Sequence, residues 1–387
     1  MQRKIFENKK TTLMNELTSR QRLLLALDCK QPDRVPIWML YPRERLPYYA
    51  DVHHLPSYAR VIPAIWDRTD WLDRRGIPHP PFYTSAALSE TEVRQEGDWK
   101  VTRQVYHTPL GDLIAESRAD EESSGGQEIK PLCQNITDLE KILSIPYEPF
   151  EPDTSEFLKA AGILGEAGLM MLDANMPVGV AYHLLGPENF AIYTLTERAS
   201  LVRFTQVMFE RMYDYYLKVL EAGVGPVFFT TTTEFVAPPM SSPAAFDALV
   251  MPFQIPIFEL IHRYGGKVIV HHHGRIQQLL DKIVSLGADG IHPIEEPPIG
   301  DCPLAEAKHR VNERTCLIGS VQYDDFERLT PDEMEELVRR QIQDAAAGGG
   351  YILSPTAGPY ATTISERHQD NLIRFIEAGK KWGKYLD

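Results

Sequence analysis

The sequence predicts a single (β/α)₈ barrel. Three observations carry that expectation: the chain length, a second half in which short apolar runs alternate with helical patterns, and polar residues gathered where those runs end. At 387 residues the chain has the size of a closed α/β barrel with N-terminal additions. From residue 155 the apolar runs are Leu169–Asp173, Val227–Thr230, Lys267–Val270, Gly290–Ile294, Cys316–Gly319 and Tyr351–Ser354. The last four start roughly 25–35 residues apart, the size of one strand–helix unit. Between them the pattern predicts helices over 275–286, 303–310, 331–347 and 366–379. The third starts with Thr330 as cap, Pro331 in the first turn and Glu333 as capping-box partner, a combination that satisfies the exposed N–H groups of a helix start.

The first half is less regular. Residues 14–30 carry Leu17, Leu23, Leu24 and Leu27 at helical spacing, with Thr18 or Ser19 as cap and Pro32 beyond the end. Val35–Leu40 reads as a strand that starts beside Pro36. Residues 41–81, rich in proline and aromatics, read as an irregular rim or lid with one helix near 57–67. Alternation over 99–106 and a turn at 108–112 predict a hairpin over 98–118, and Glu121–Gly126 an exposed loop without the strand and helix of a phosphate-binding motif. The whole chain, 1–387, is read as one barrel domain with a helical extension at 1–34 and a hairpin insertion at 98–118.

Composition excludes several classes of function. With 43% hydrophobic and 24% charged residues and no run near the ~18 apolar residues of a membrane span, the chain reads as a globular protein outside the membrane. The N-terminus lacks the apolar stretch of a secretory signal, so the expected location is the cytoplasm. Four widely separated cysteines suit a reducing compartment. Fifty-four acidic against 40 basic residues give a net charge of −14, which disfavours nucleic acid as a partner.

In a barrel, polar residues at the C-terminal strand ends converge on one cavity. The strand at 267–270 runs into His271, His272 and His273, and in extended backbone residues i and i+2 share a face, so His271 and His273 point together. Imidazoles there serve acid–base chemistry or ligate zinc, although packing against a helix and a loop carbonyl would also account for them. Glu234, after the strand at 227–230, is the preferred third ligand, with His292 and Glu295 next. The candidate catalytic set is therefore His271, His273, Glu234 and His292, and the candidate metal set His271, His273 and Glu234. Arg45, Asp70, Asn175, Tyr182 and Glu295 are the candidate substrate-binding residues; Arg43 and Asp67 are weaker alternatives.

At the level of motifs the chain resembles the uroporphyrinogen decarboxylase superfamily, which includes methyltransferases that exchange methyl groups with corrinoids. The resemblance rests on Lys267–Gly274, Leu286–Gly290, Leu317–Ser320, Leu329–Glu333, Gly349–Ser354 and Asn371–Ile376. It departs from the decarboxylases: Tyr41 stands where they carry a first loop arginine, only Arg45 before Leu46-Pro47 matches the second, and Ser354-Pro-Thr-Ala-Gly lacks their histidine. It departs from the zinc methyltransferases as well. Their His-x-Cys and later cysteine correspond here to His271, His273 and, nearby, Thr356.

The resemblance implies a methyltransferase or demethylase acting between a small methoxylated or methylamine-like molecule and a corrinoid (cobalamin-type) cofactor. One barrel leaves no space for a cobalamin domain, so the corrinoid is expected on a partner carrier protein. Zinc is a candidate second cofactor, and a metal-free site that uses the same groups is the alternative. A porphyrinogen decarboxylase-like lyase and a nonenzymatic corrinoid- or tetrapyrrole-binding protein are the alternatives. The aromatic rim is left open as a cavity wall, the interface of a homodimer or the carrier's docking face.

Overall fold

The computed structural model describes residues 16–46, 49–119 and 126–385. Along these residues the strands are β1 (Trp71–Arg75), β2 (Leu88–Glu96), β3 (Trp99–His107), β4 (Leu113–Ala119), β5 (Gln127–Lys130), β6 (Gly168–Ala174), β7 (Val227–Thr230), β8 (Lys267–His271), β9 (Gly290–His292), β10 (Cys316–Ile318) and β11 (Tyr351–Ile352). Seven of them form a curled parallel sheet in the order β1-β6-β7-β8-β9-β10-β11, and β2 to β5 form a separate antiparallel sheet.

Two predicted features of the first half need correction. Val35–Leu40 is not a regular strand. Ile37 makes an isolated parallel bridge to Leu353, Trp38 N donates to Leu353 O at 2.9 Å, and Ile37 O accepts from Asp70 N at 2.7 Å. Pro36 has no N–H to give a ladder, and Leu40 turns the chain with a φ of 59°. The segment thus touches both edges of the sheet without extending either as a strand. Conversely, β1 lies inside the stretch read as irregular. It pairs with β6 from Trp71↔Gly168 to Arg75↔Leu172, and a Cβ on Gly168 would come within 2.1 Å of Trp71 O, so only glycine permits that approach.

The predicted hairpin is the centre of a larger element. β3 and β4 pair as expected, and β2 and β5 flank them to make four strands. Residues 121–125 of the expected loop, and 14–15 of the expected first helix, lie outside the described residues. That helix spans Ser19–Leu27 under a capping box of Thr18 and Gln21. The four helices predicted for the second half span Leu280–Ser285, Leu304–Val311, Pro331–Ala345 and Glu366–Trp382. Thr330 and Glu333 make the predicted box.

Strand alternation sorts the core into two shells. Leu72, Leu169, Met171, Val227, Phe229, Ile269, Cys316, Ile318 and Ile352 pack together inside the curled sheet, closed beneath by Leu23, Ala26 and Leu27 of the first helix. Their in-between neighbours, such as Met170, Phe228, Val268 and Leu317, face the surrounding helices. The inner row is apolar at its base. Two residues further along each strand it becomes polar, and this register places the site.

Candidate active site

Counting in twos from the apolar floor, Leu72 leads to Arg74, Leu169 and Met171 to Asp173, Val227 and Phe229 to Thr231, and Ile269 to His271 and His273. These polar residues line a cavity of about 270 Å³ with Leu40, Tyr49, Thr356, Ala357 and Tyr360. A second bay of about 280 Å³ shares Asp173 and Thr231 and is walled by Ile77, His79, Tyr83, Asn175, His183 and Tyr215. Together they offer a small molecule a polar centre and an aromatic flank.

Arg74 Nη2 donates to Asp173 Oδ1 at 2.7 Å, and its guanidinium lies 4.3 Å over the Phe229 ring. Sequence reasoning missed Arg74 because Trp-Leu-Asp-Arg-Arg looks like an exposed turn. The available signal was the spacing of two from Leu72. Tyr49 and Tyr360, which line the cavity with ring centroids 6.0 Å apart, were missed as well.

The histidines form a stack. His271 and His273 stand edge to face with centroids 4.6 Å apart, and His271 Nδ1 is 2.9 Å from His292 Nδ1. His292, which the structure buries completely, also places Nε2 at 3.2 Å from Pro355 O and packs 5.0 Å from Trp38. Burial holds the His292 imidazole down at about 3 and His271 well below its usual range, because a charged ring there would lose its water without gaining an anion. His272 points away, with Nδ1 against Thr233 Oγ1 at 3.1 Å, and burial lowers it to about 4.

The structure separates the remaining predicted residues. Glu295 is buried and occupied by its own chain: Oε1 takes His273 Nδ1 at 3.3 Å and Oε2 takes Gly274 N at 2.5 Å, so it orients His273 instead of meeting substrate. Asp70 is a correction. It precedes β1 at the opposite end of the sheet, accepting from Arg22 Nη1 at 2.8 Å, Arg34 Nη1 at 2.7 Å and Ile37 N at 2.9 Å. Arg45 is also corrected, since its side chain is 75% exposed, pairs with Asp51 at 3.8 Å and does not line the cavity. Asn175 lines the aromatic bay, whereas Tyr182 stacks on Phe235 at 3.6 Å and lines neither the cavity nor the bay.

Glu234 sits in the turn after β7 with Oε2 buried and without a hydrogen-bond partner. Burial raises its carboxyl to about 7, with His273 pulling the other way. Among the described residues no three His, Cys, Asp or Glu side chains are grouped as a metal site requires. Glu234 does not line the cavity that His271 and His273 share. The expected zinc set is therefore not assembled among the described residues.

A family profile for uroporphyrinogen decarboxylase (URO-D) matches residues 122–382, more than half of the chain. The chain belongs to the uroporphyrinogen decarboxylase family. Among solved structures, a methyltransferase from Methanosarcina mazei is similar over 95% of this chain and 99% of its own, with a TM-score of 0.59 at 15% identity. A Bacteroidetes-affiliated GH5 cellulase linked with a polysaccharide utilization locus covers 59% of this chain and 74% of its own at 11% identity, with a TM-score of 0.38. The first of these shares the fold of this URO-D chain. A comparison with the curated proteins finds no match. No single helix among the described residues of this URO-D chain is long and apolar enough to cross a membrane.

Proposed function

We propose that the chain is a cytoplasmic methyltransferase that moves a methyl group between a small methoxylated or methylamine-like molecule and a corrinoid cofactor carried by a partner protein. The observation that carries this reading is the pair His271 and His273, set side by side at a cavity whose guanidinium, Arg74, is already matched by Asp173. A polycarboxylated porphyrinogen calls for a cluster of cations. Among the described residues the cavity lining supplies Arg74 alone, and Arg45 points elsewhere. Family membership and the fold shared with a methyltransferase are consistent with a methyltransferase-like enzyme.

The corrinoid, when presented by its carrier, supplies the methyl acceptor. Tyr360, half exposed at the cavity wall, offers an aromatic contact to that macrocycle. The chain's own residues do the rest. When the bond between methyl and oxygen or nitrogen breaks, its electron pair stays on the donor atom, and the Arg74 guanidinium is placed to stabilise that charge. Asp173 holds Arg74 in position. His271 and His273 orient the donor by hydrogen bonds, and the aromatic bay beside Asp173 receives its apolar part.

The test is incubation of the protein with a reduced corrinoid protein and a panel of methyl ethers and methylamines while the cobalt absorption is followed. Formation of methylated corrinoid is the expected result. Consumption of uroporphyrinogen with release of carbon dioxide, and no methylated corrinoid with any donor, would overturn the proposal.

A further inference from the structure

The contacts of His292 define where the protons of the histidine stack lie. A carbonyl oxygen has no hydrogen to give, so the 3.2 Å contact with Pro355 O requires a proton on His292 Nε2. The 2.9 Å contact between His292 Nδ1 and His271 Nδ1 holds one proton between two nitrogens. His292 has no exposed surface, and the groups packed on it, His271, Trp38, Phe229 and the Pro355 carbonyl, carry no negative charge. A ring in that setting is neutral. With Nε2 protonated, its Nδ1 is bare, and the shared proton belongs to His271. His271 Nε2 then keeps its lone pair, and His271 is the ring of the two that lines the cavity.

We propose that His292 is a positioning residue which, anchored on the Pro355 carbonyl, locks His271 in the tautomer with a bare Nε2, so that His271 meets a ligand only as an acceptor. A ligand atom that hydrogen-bonds to it therefore carries a hydrogen, as a hydroxyl or a protonated amine does. Trp38, packed on His292, and Phe229, 5.1 Å from His271, keep both rings from turning. The inference takes from the proposed function only the location of the site. Its test uses no methyl donor, so failure of methyl transfer and failure of this proposal are separate results.

The experiment is long-range ¹⁵N–¹H correlation spectroscopy on the full chain labelled at histidine, with His271 assigned by its loss in His271→Gln. In the wild type, His271 is expected to show a protonated Nδ1 and an unprotonated Nε2. In His292→Phe, which keeps a planar ring without an acceptor, His271 should shift toward the tautomer protonated on Nε2, the form a free imidazole prefers. His292→Asn, whose Oδ1 restores an acceptor near the lost Nδ1, should return it. A wild-type His271 protonated on Nε2, or one whose tautomer is the same in His292→Phe, would overturn the proposal. If His292→Phe does not fold, the wild-type spectrum decides alone.

Discussion

Arg74 and Asp173 meet across the β1–β6 pair at 2.7 Å, which sets a cation and an anion side by side between the two bays of the cleft. Arg74→Gln removes the charge and keeps much of the volume. If Arg74 stabilises the departing electron pair, kcat for methyl transfer should fall about 100-fold with KM little changed. Steady-state kinetics with the best donor makes the measurement, and a change confined to KM would reassign Arg74 to substrate binding.

Asp70 ties Arg22, Arg34 and the Ile37 N–H together at the base of the sheet. Removing it takes the carboxylate from the buried Arg34 guanidinium and leaves Arg22 paired with Asp33. Asp70→Ala should lower stability by about 3–5 kcal/mol in denaturant titration while leaving activity per folded molecule unaltered.

Glu234 makes stability depend on pH. Its folded value, about 7, lies above the ordinary 4.5, so between those values the folded chain holds a proton that the unfolded chain has released. The contribution is complete below about pH 4.5 and is lost as pH rises through 7. Glu234→Gln should therefore match the wild type near pH 5 and exceed it at pH 8 by roughly 2 kcal/mol, allowing for its partial exposure. Equal denaturation midpoints at both pH values would show that the carboxylate is solvated.

His272 and Arg45 test the boundaries of the site. His272 is buried and bonded to Thr233, so His272→Ala should destabilise by about 2–4 kcal/mol through cavity and hydrogen-bond loss yet retain turnover in the folded fraction. Arg45→Ala should change stability by less than ~0.5 kcal/mol, as befits an exposed pair, and leave donor affinity the same across ionic strengths. Thermal melts and donor titrations read both variants.

What could be read in advance follows the strength of local signals. The spacing that puts His271 and His273 on one face needs only strand periodicity, and the Thr330–Glu333 cap is a contact within one turn; both were legible. Asp70 was misplaced because a residue beside a strand looks alike at either end until the strand's limits are known. β1 escaped notice because its Asp73, Arg74 and Arg75 contradict an apolar run, and only pairing with β6 defines it as a strand. Glu295 read as a ligand for substrate because its partners, His273 and the Gly274 N–H, are set by the approach of two strand ends.

The antiparallel sheet β2 to β5 lies in the chain between two strands that are neighbours in the parallel sheet. From β6 to β11 each strand pairs with the next one in sequence, so these contacts close modest loops, whereas β1 must find β6 across the whole inserted sheet. Contacts of long sequence separation form late. The six strands from β6 onward are thus expected to gain hydrogen-exchange protection before β1 docks. Because β1 carries Arg74, a folding chain completes its imidazole stack first and receives its cavity cation last, and becomes competent only when that final edge closes.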